Sequence, residues 1–542
     1  MQLVDLRLLT GPNIYTTYPV VKLAVDASQE LAVVGAHTAD ARDRLAAMLQ
    51  LPPGEPTDPE QVGARKALES WTARIVARLH ERSSLPLPEV LVFGAHDPDE
   101  IVVVFGWDRA GAARALGGEV YRCLRAVATG GEWDLDAAVG AIASAPGEDE
   151  TMAISDAERR VPMIAVTGTN GKTTVSRLCA HVLRTAGYTV GISGSDGVLV
   201  GEDLLEAGDM SGPSGARQAL EDPRTQFVVA ETARGGILLK GTGWQSCDVA
   251  VVTNVTHDHL GLQGVHTLEQ LAWAKGLIVT LTGPQGVAVL NADDPVVAAM
   301  AARAAGRVVL CSLYAESVRE HVERGGEAMF VRDWEIVRSR EGEETVLLSL
   351  ADAPLTLGGV ARHNVSNVLC ASAALLSAGV DVEHVRKGLR TFDNSPEHNP
   401  GRLNVFKMAN GTAIVDYAHN EAGISALLDV AEHLATGRVV IVVGTAGDRT
   451  DETFIALGRI AAERADSIHM KGTIKYTRGR DPSKMRELME GGIHTVADPP
   501  PHYWWETELE AAQHAVEELS PGDVAAIMCV EDKDEIGRMV RE

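Results

Sequence analysis

The residues whose types and spacing most clearly promise chemistry are Gly168, Thr169, Asn170, Gly171, Lys172, Thr173 and Thr174, the run GTNGKTT. It directly follows the apolar stretch Met163–Val166 and directly precedes a helical pattern. Glycines let backbone N–H groups turn inward without a Cβ clash, and the following helix N-terminus adds partial positive charge. Such a loop cradles phosphates: Lys172 is placed to reach β- and γ-phosphates, and the Thr173 hydroxyl to join a magnesium ion. The run is the short G-x-x-G-K-[ST] form, because Val166 stands where the longer motif has its first glycine. A glycine turn with an incidental lysine is the competing reading, and the strand–loop–helix setting argues against it.

Other candidates sit on the same rhythm. Glu231 ends the apolar run Phe227–Ala230, which puts its carboxylate at the carboxyl edge of a parallel sheet, where ligands bind; a solvated strand-end carboxylate is the alternative. His259 lies just past the next apolar run, and His257 two residues earlier raises an H-x-H zinc site, although no cysteine or third histidine falls within six residues of either. Lys275 falls on a predicted helix, where a solvated charge is the ordinary reading. Arg449, in GDR, and Arg478 and Arg480, in TRGR, have the planar fork that grips carboxylates, such as an acidic substrate or an amino acid's α-carboxylate. Surface ion pairs are the competing use.

The elements that must position these groups are short and repetitive. MIAV, FVVA, DVAVVTNV (Asp248–Val255) and GVAVLN (Gly286–Asn291) are apolar runs too short for helices, and helices are predicted over Thr174–Thr185 and Leu268–Val279. Continuous apolar strands separated by helices predict a mostly parallel sheet covered on both faces. A second series, TAIVDY, RVVIVVG and DVAAIMCV, follows DNSPEHNPG (Asp393–Gly401), whose prolines, asparagines and glycine read as a hinge. The first part reads differently, with VKLAVDAS and IVVVFGWD as strands and a long helix over Ala110–Ala128. The expected class is α/β: an N-terminal α+β domain (1–155), a central P-loop-type domain with a mostly parallel sheet (156–395), and a C-terminal Rossmann-like α/β domain (396–542).

Composition sets the outer bounds. With 542 residues, 45% apolar and 23% charged, the chain can bury several cores. Its 49 Lys and Arg against 75 Asp and Glu leave a net charge of −26, which repels phosphate backbones and argues against nucleic-acid partners. Six scattered cysteines without a C-x-x-C pair suit buried thiols in a reducing cytosol. No signal-like start or bilayer-length apolar stretch is present, so a cytoplasmic protein with no membrane partner is expected.

The short phosphate loop resembles that of the Mur ligase family, ATP-dependent enzymes that join an amino acid to a carboxylate. In the same order the chain carries NVTHDHL (Asn254–Leu260), AWAKGLI with Lys275, LNADDP (Leu290–Pro295), HNVSN (His363–Asn367), PGR (Pro400–Arg402) and DYAHN (Asp416–Asn420). DMSGPSGAR, ETARGGIL, GDRTDE, TRGR and the opening LLTGPNIY resemble the cyanophycin synthetase branch, but without room for the ATP-grasp domain that branch carries; the resemblance therefore implies one ligase site. It implies magnesium ligation by Glu231 and by His259; for His257 a plain hydrogen-bonding role is the alternative to zinc. It further implies a carbamylated Lys275, adenine contact by Asn367 (a helix N-cap being the alternative), ATP-phosphate contact by Arg402 and ribose contact by Asp416. Glu421 follows DYAHN where the family commonly has proline, which leaves the local turn open.

The function this implies is ATP- and magnesium-dependent amide formation through an acyl phosphate. An amino acid, arginine as first choice, would be joined to an acidic acceptor such as an aspartyl peptide. A peptidoglycan- or folate-type amino-acid ligase and a non-catalytic nucleotide-binding scaffold are the alternatives. Relatives assemble from several copies, so a homo-oligomer is compatible.

Overall fold

The apolar runs become buried strands, as their composition requires. In the computed structural model, which describes residues 1–27, 38–51, 64–94, 99–147, 150, 152–258 and 260–541, every residue of Met163–Thr167, Phe227–Glu231, Val249–Val252 and Val287–Asn291 is buried. They form the middle of an eleven-stranded sheet. From Val190–Gly194 across Phe227–Glu231, Met163–Thr167, Val249–Val252, Val287–Asn291 and Arg307–Ser312 to Glu327–Arg332, neighbouring strands run parallel. Antiparallel strands extend both flanks, Gly197–Val200 and Asp203–Ala207 on one side, Glu335–Arg340 and Glu343–Ser349 on the other. Three of these outer strands, Asp203–Ala207, Glu335–Arg340 and Glu343–Ser349, escape a search for continuous apolar runs because they are polar or mixed in character.

Helices cover both faces, as a parallel sheet demands. Lys172–Thr185, Arg362–Ser377 and Val382–Thr391 pack on one face; Pro213–Glu221, Arg234–Lys240 and Leu268–Lys275 pack on the other. Two predicted helices shift. The first begins at Lys172, two residues early, because Gly171 caps it in a left-handed conformation. The second breaks at Gly276, whose ψ of −6° departs from the helical value, and Leu268–Lys275 is followed by a separate turn of helix, Leu277–Thr280.

The C-terminal series forms a six-stranded sheet in the order Asn404–Met408, Gly411–Asp416, Val524–Met528, Val439–Val443, Ser467–Lys471, His502–Trp505. All but the first strand are parallel. The N-terminal part is a four-stranded antiparallel sheet, Gln2–Leu9, Val20–Asp26, Glu100–Gly106 and Val90–Gly94 in spatial order, with Ala64–Arg82, Ala110–Thr129 and Leu135–Ala143 against it around Trp71. The whole is the predicted α/β arrangement with an α+β start. All six cysteines are buried free thiols, and among the described residues no helix is long and apolar enough to cross a membrane.

The segment expected as a hinge is tightly bonded within itself. Asn394 and Asn399 are buried, and Asn404 Nδ2 donates to both of their carbonyls, at 2.8 and 3.0 Å. Asn404 Oδ1 accepts from the Gly401 N–H at 2.7 Å. Arg177, on the helix of the phosphate loop, donates to Asn399 Oδ1 at 2.9 Å and to the Pro400 carbonyl at 3.1 Å. Asparagine, read as a turn former from composition, here satisfies a buried backbone whose unpaired groups would be costly. Asn404→Ala should therefore cost about 1–3 kcal/mol, the usual penalty for orphaning buried polar groups. The measurement is the urea midpoint at constant m-value; an unchanged midpoint would show that this turn is held by something else.

Candidate active site

The phosphate loop takes its shape from the two strand ends beside it. Thr169 N–H donates to the Asn254 carbonyl at 2.8 Å and Asn170 N–H to Asn254 Oδ1 at 2.8 Å, while Thr253 Oγ1 donates to the Asn170 carbonyl at 2.6 Å. Thr256 N–H donates to Thr169 Oγ1 at 3.0 Å. The loop is thus tied to the segment NVT that leads towards His259. Gly168 (φ 153°) and Gly171 (φ 86°) both lie where a side chain is strained. A Cβ at Gly168 would also meet Thr253 Oγ1 at 1.9 Å, and one at Gly171 would meet Asn367 Oδ1 at 2.3 Å.

At the mouth of the loop the predicted groups converge. Thr173 Oγ1 donates to Glu231 Oε2 at 3.1 Å and lies 3.0 Å from Ser195 Oγ, which itself reaches Glu231 at 3.3 Å. Glu231 is only 3% exposed. Arg402, from the turn leading into the C-terminal sheet, reaches Thr173 Oγ1 at 3.3 Å and stacks 4.5 Å over the Tyr417 ring. Lys172 Nζ folds back on the Thr169 carbonyl at 2.9 Å.

Lys275 is not a solvated helix charge. It is buried beneath the loop and donates to the Gly168 carbonyl at 2.6 Å. Burial, then repulsion from Lys172, pushes its ammonium well below the usual lysine range, against a weaker pull from Asp258. Asn367 lies inside the helix Arg362–Ser377 rather than at its N-cap, which removes the capping alternative. Its Nδ2 donates to Asn364 Oδ1 at 3.0 Å, leaving its carbonyl side against Gly171. Asp416 Oδ2 accepts from the Leu403 N–H at 2.7 Å and so shapes the turn that carries Arg402.

The three arginines separate. Arg449 is buried and faces Asp258 Oδ1 at 3.4 Å, across from the central sheet. Arg480 binds the carbonyls of Gly447 and Arg449 at 2.9 and 2.8 Å and pairs with Asp451, so its fork is occupied in holding the GDR loop. Arg478 is exposed, with its guanidinium 5.2 Å from the Tyr476 ring. His259 lies outside the described residues. Among the described residues no group of three His, Cys, Asp or Glu gathers for a metal, so the H-x-H zinc alternative gains no third ligand there, and His257 is exposed.

Several groups at the site carry no motif signal of their own. Ser195 lies in no motif and stands here only because strand ends meet, while Asn254 and Asp258 lie in NVTHDHL but had no role assigned from sequence. Arg234, at the start of the helix after Glu231, is buried and donates to the Leu262 carbonyl at 3.1 Å. Asn170 and Asn420 exchange amide hydrogen bonds at 3.2 and 3.1 Å, joining the phosphate loop directly to DYAHN. The arrangement offers inward N–H groups, a lysine and an arginine for phosphate, and an all-oxygen corner of carboxylate and hydroxyls for a hard cation.

Comparison with known proteins agrees with this layout. Residues 166–375 match the Mur ligase middle domain, and residues 401–529 the Mur ligase, glutamate ligase domain. Cyanophycin synthetase of Crocosphaera subtropica is 40% identical over 371 residues, covering 68% of this chain and 42% of that protein. The chain thus spans about two fifths of the length of that relative. A UDP-N-acetylmuramoyl-L-alanyl-D-glutamate–2,6-diaminopimelate ligase of Geobacillus thermodenitrificans is 30% identical over 390 residues, 68% of this chain and 73% of that one. The pseudomurein peptide ligase type C of Methanothermus fervidus shares the fold at 19% identity and a TM-score of 0.51, over 70% of this chain and 78% of that one.

The close approach at Gly171 gives a direct test. Gly171→Ala adds a Cβ into Asn367 and forces a left-handed conformation, which alone costs about 1–2 kcal/mol. ADP binding, followed by isothermal titration, should weaken at least about tenfold; unchanged affinity would mean the loop does not hold the nucleotide.

Proposed function

The chain belongs to the Mur ligase family, and from that premise we propose that it is an ATP-dependent amide ligase, with one site between its central and C-terminal sheets. The observation that carries this reading is the convergence of Lys172, Thr173, Glu231 and buried Lys275 with Arg402, which comes from the other side of the interface. In the proposed reaction the acceptor carboxylate attacks the γ-phosphorus of ATP, the bond to the bridging oxygen breaks, and ADP leaves. The amine then attacks the acyl phosphate carbon, and phosphate departs with the C–O bonding pair as the amine loses a proton.

The residues divide that work. Loop N–H groups and Lys172 bind and orient the phosphates, and Arg402 spreads the charge of the transferring group. The carboxylate–hydroxyl corner of Glu231, Thr173 and Ser195 fits magnesium by its all-oxygen chemistry, and we assign His259 to a second ion. Magnesium bound there supplies positive charge to the phosphate oxygens. Asn367 and Asp416 are assigned to adenine and ribose. The Asn170–Asn420 and Arg402–Thr173 contacts keep water out when the two sheets meet, which protects an acyl phosphate. We assign Lys275, whose burial disfavours its ammonium, to carbamate formation with carbon dioxide; a carbamate would replace a buried cation with an anion.

For substrates we infer arginine as the amine and an aspartyl peptide as the acceptor, on the strength of the cyanophycin synthetase relatives. Arg449 and Arg478 are the carboxylate-holding candidates, with Arg480 supporting Arg449. A peptidoglycan-type amino-acid ligase is the second reading, favoured by coverage of 73% of the diaminopimelate ligase against 42% of the cyanophycin synthetase. A nucleotide-binding scaffold is disfavoured, because burying Glu231 and Lys275 without catalytic use would be an uncompensated expense. The three-domain division at 155 and 395, a cytoplasmic location, action on small molecules rather than nucleic acid, and assembly from several copies complete the proposal.

A coupled assay of ADP release tests it: turnover should rise only when both an amine and an acidic acceptor accompany ATP, and indifference to both would overturn the ligase reading. Lys172→Ala should lower kcat at least about a hundredfold, as loss of a phosphate-stabilising cation does, while melting stays unchanged. Near-wild-type turnover in that variant would remove the loop from the mechanism. Lys275→Ala should lose activity that added formate or acetate partly restores; absence of rescue would argue for an ammonium role.

A further inference from the structure

At the carboxyl edge of the C-terminal sheet lies an ion pair that the reaction itself does not use. Lys471 ends the strand Ser467–Lys471, and Glu508 opens the helix Glu508–Glu517; both side chains are 0% exposed and bonded to each other. The lysine stem passes under Gly444, where a Cβ would lie 2.6 Å from Lys471 Cγ. Glu508 is saturated with donors. Its Oε1 accepts from the Glu531 and Asp532 N–H groups at 3.0 and 2.9 Å and from the Cys529 thiol at 3.0 Å, and its Oε2 from the Val530 N–H at 2.9 Å. Burial alone would raise this carboxyl, but the Lys471 ammonium and these donors outweigh it and hold it at about 2.

The fixed loop in turn grips two parts of the site. Glu531 Oε1 accepts from the N–H groups of Lys475 and Tyr476, at 2.7 and 3.1 Å, seating the segment that carries Arg478 and Arg480. Lys533, the next residue but one, reaches across to Asp196 Oδ1 at 3.0 Å. Asp196 also pairs with Arg177, which holds the turn before Arg402, and it neighbours Ser195 in the magnesium corner.

We propose that Lys471 and Glu508 are positioning residues for the ligase site: the buried pair fixes the 529–533 loop, which seats the arginine-bearing segment and aims Lys533 at Asp196. The assignment rests on the ligase reading for its purpose and on geometry alone for its existence. A pair kept only for stability would be indifferent to what its loop touches, and buried ion pairs are often replaceable by apolar side chains without loss of stability. That property supplies the control.

The experiment compares the full-length wild type with Glu508→Gln and with the double variant Lys471→Met/Glu508→Leu, which leaves no unpaired buried charge. Amide hydrogen exchange should accelerate at least about tenfold, or 1.4 kcal/mol of local opening, over 529–533 and 475–480, with Val439–Val443 unchanged. Protection of 475–480 equal to wild type in a folded variant overturns the proposal, whether or not the wild type turns over ATP. Where it does, with ATP, L-arginine and an aspartyl peptide, kcat/KM for arginine should fall about ten- to a hundredfold with ADP affinity unchanged. Equal losses in both would reduce the pair to a structural role.

Discussion

Glu231 places a carboxylate at the end of a buried strand, and every hydrogen bond described to it comes from a hydroxyl. An anion so desolvated is unfavourable by itself. The surrounding architecture is a set of answers to that charge: the helix of the phosphate loop starts beside it, Arg402 approaches the threonine it contacts, and Lys275 lies beneath the same loop. Lys275 presents the inverse condition, a buried cation whose hydrogen-bond partner is a carbonyl. Opposite charges buried this close to one loop are the kind of perturbed arrangement that clusters at functional sites.

The C-terminal sheet contributes by meeting the loop rather than by carrying a pocket of its own. Asn420 and Asn170 exchange amide bonds, Arg402 reaches Thr173, and Asp258 faces Arg449 with His419 at 3.5 Å. Beside these polar contacts, Ala361 with Leu357 and Val360 packs into the apolar cluster of the C-terminal sheet, and Lys533 reaches Asp196. The asparagine-rich turn between the sheets is rigid within itself and fastened to Arg177, so movement of one sheet would carry the turn with it.

Much of this was legible in the amino-acid string. Phosphate-loop chemistry, the parallel core and the placement of Glu231 follow from local runs, because glycine freedom, strand apolarity and strand-end position are short-range properties. Arg402 and Asn367 could be named only through family likeness. Arg480, grouped with its neighbours by composition, turns out to hold a loop, and Asn404, which lies outside the segment read as a hinge, bonds the carbonyls of Asn394 and Asn399 within it.

The string alone determined which stretches become buried strands and where glycine must replace a side chain. Only the folded chain decided which charges meet. Asp258 with Arg449, Asp196 with Lys533 and Lys471 with Glu508 are separated by tens to hundreds of residues and share no local pattern. Electrostatic pairing depends on distance in space and on the local dielectric, and neither is encoded in spacing along the chain.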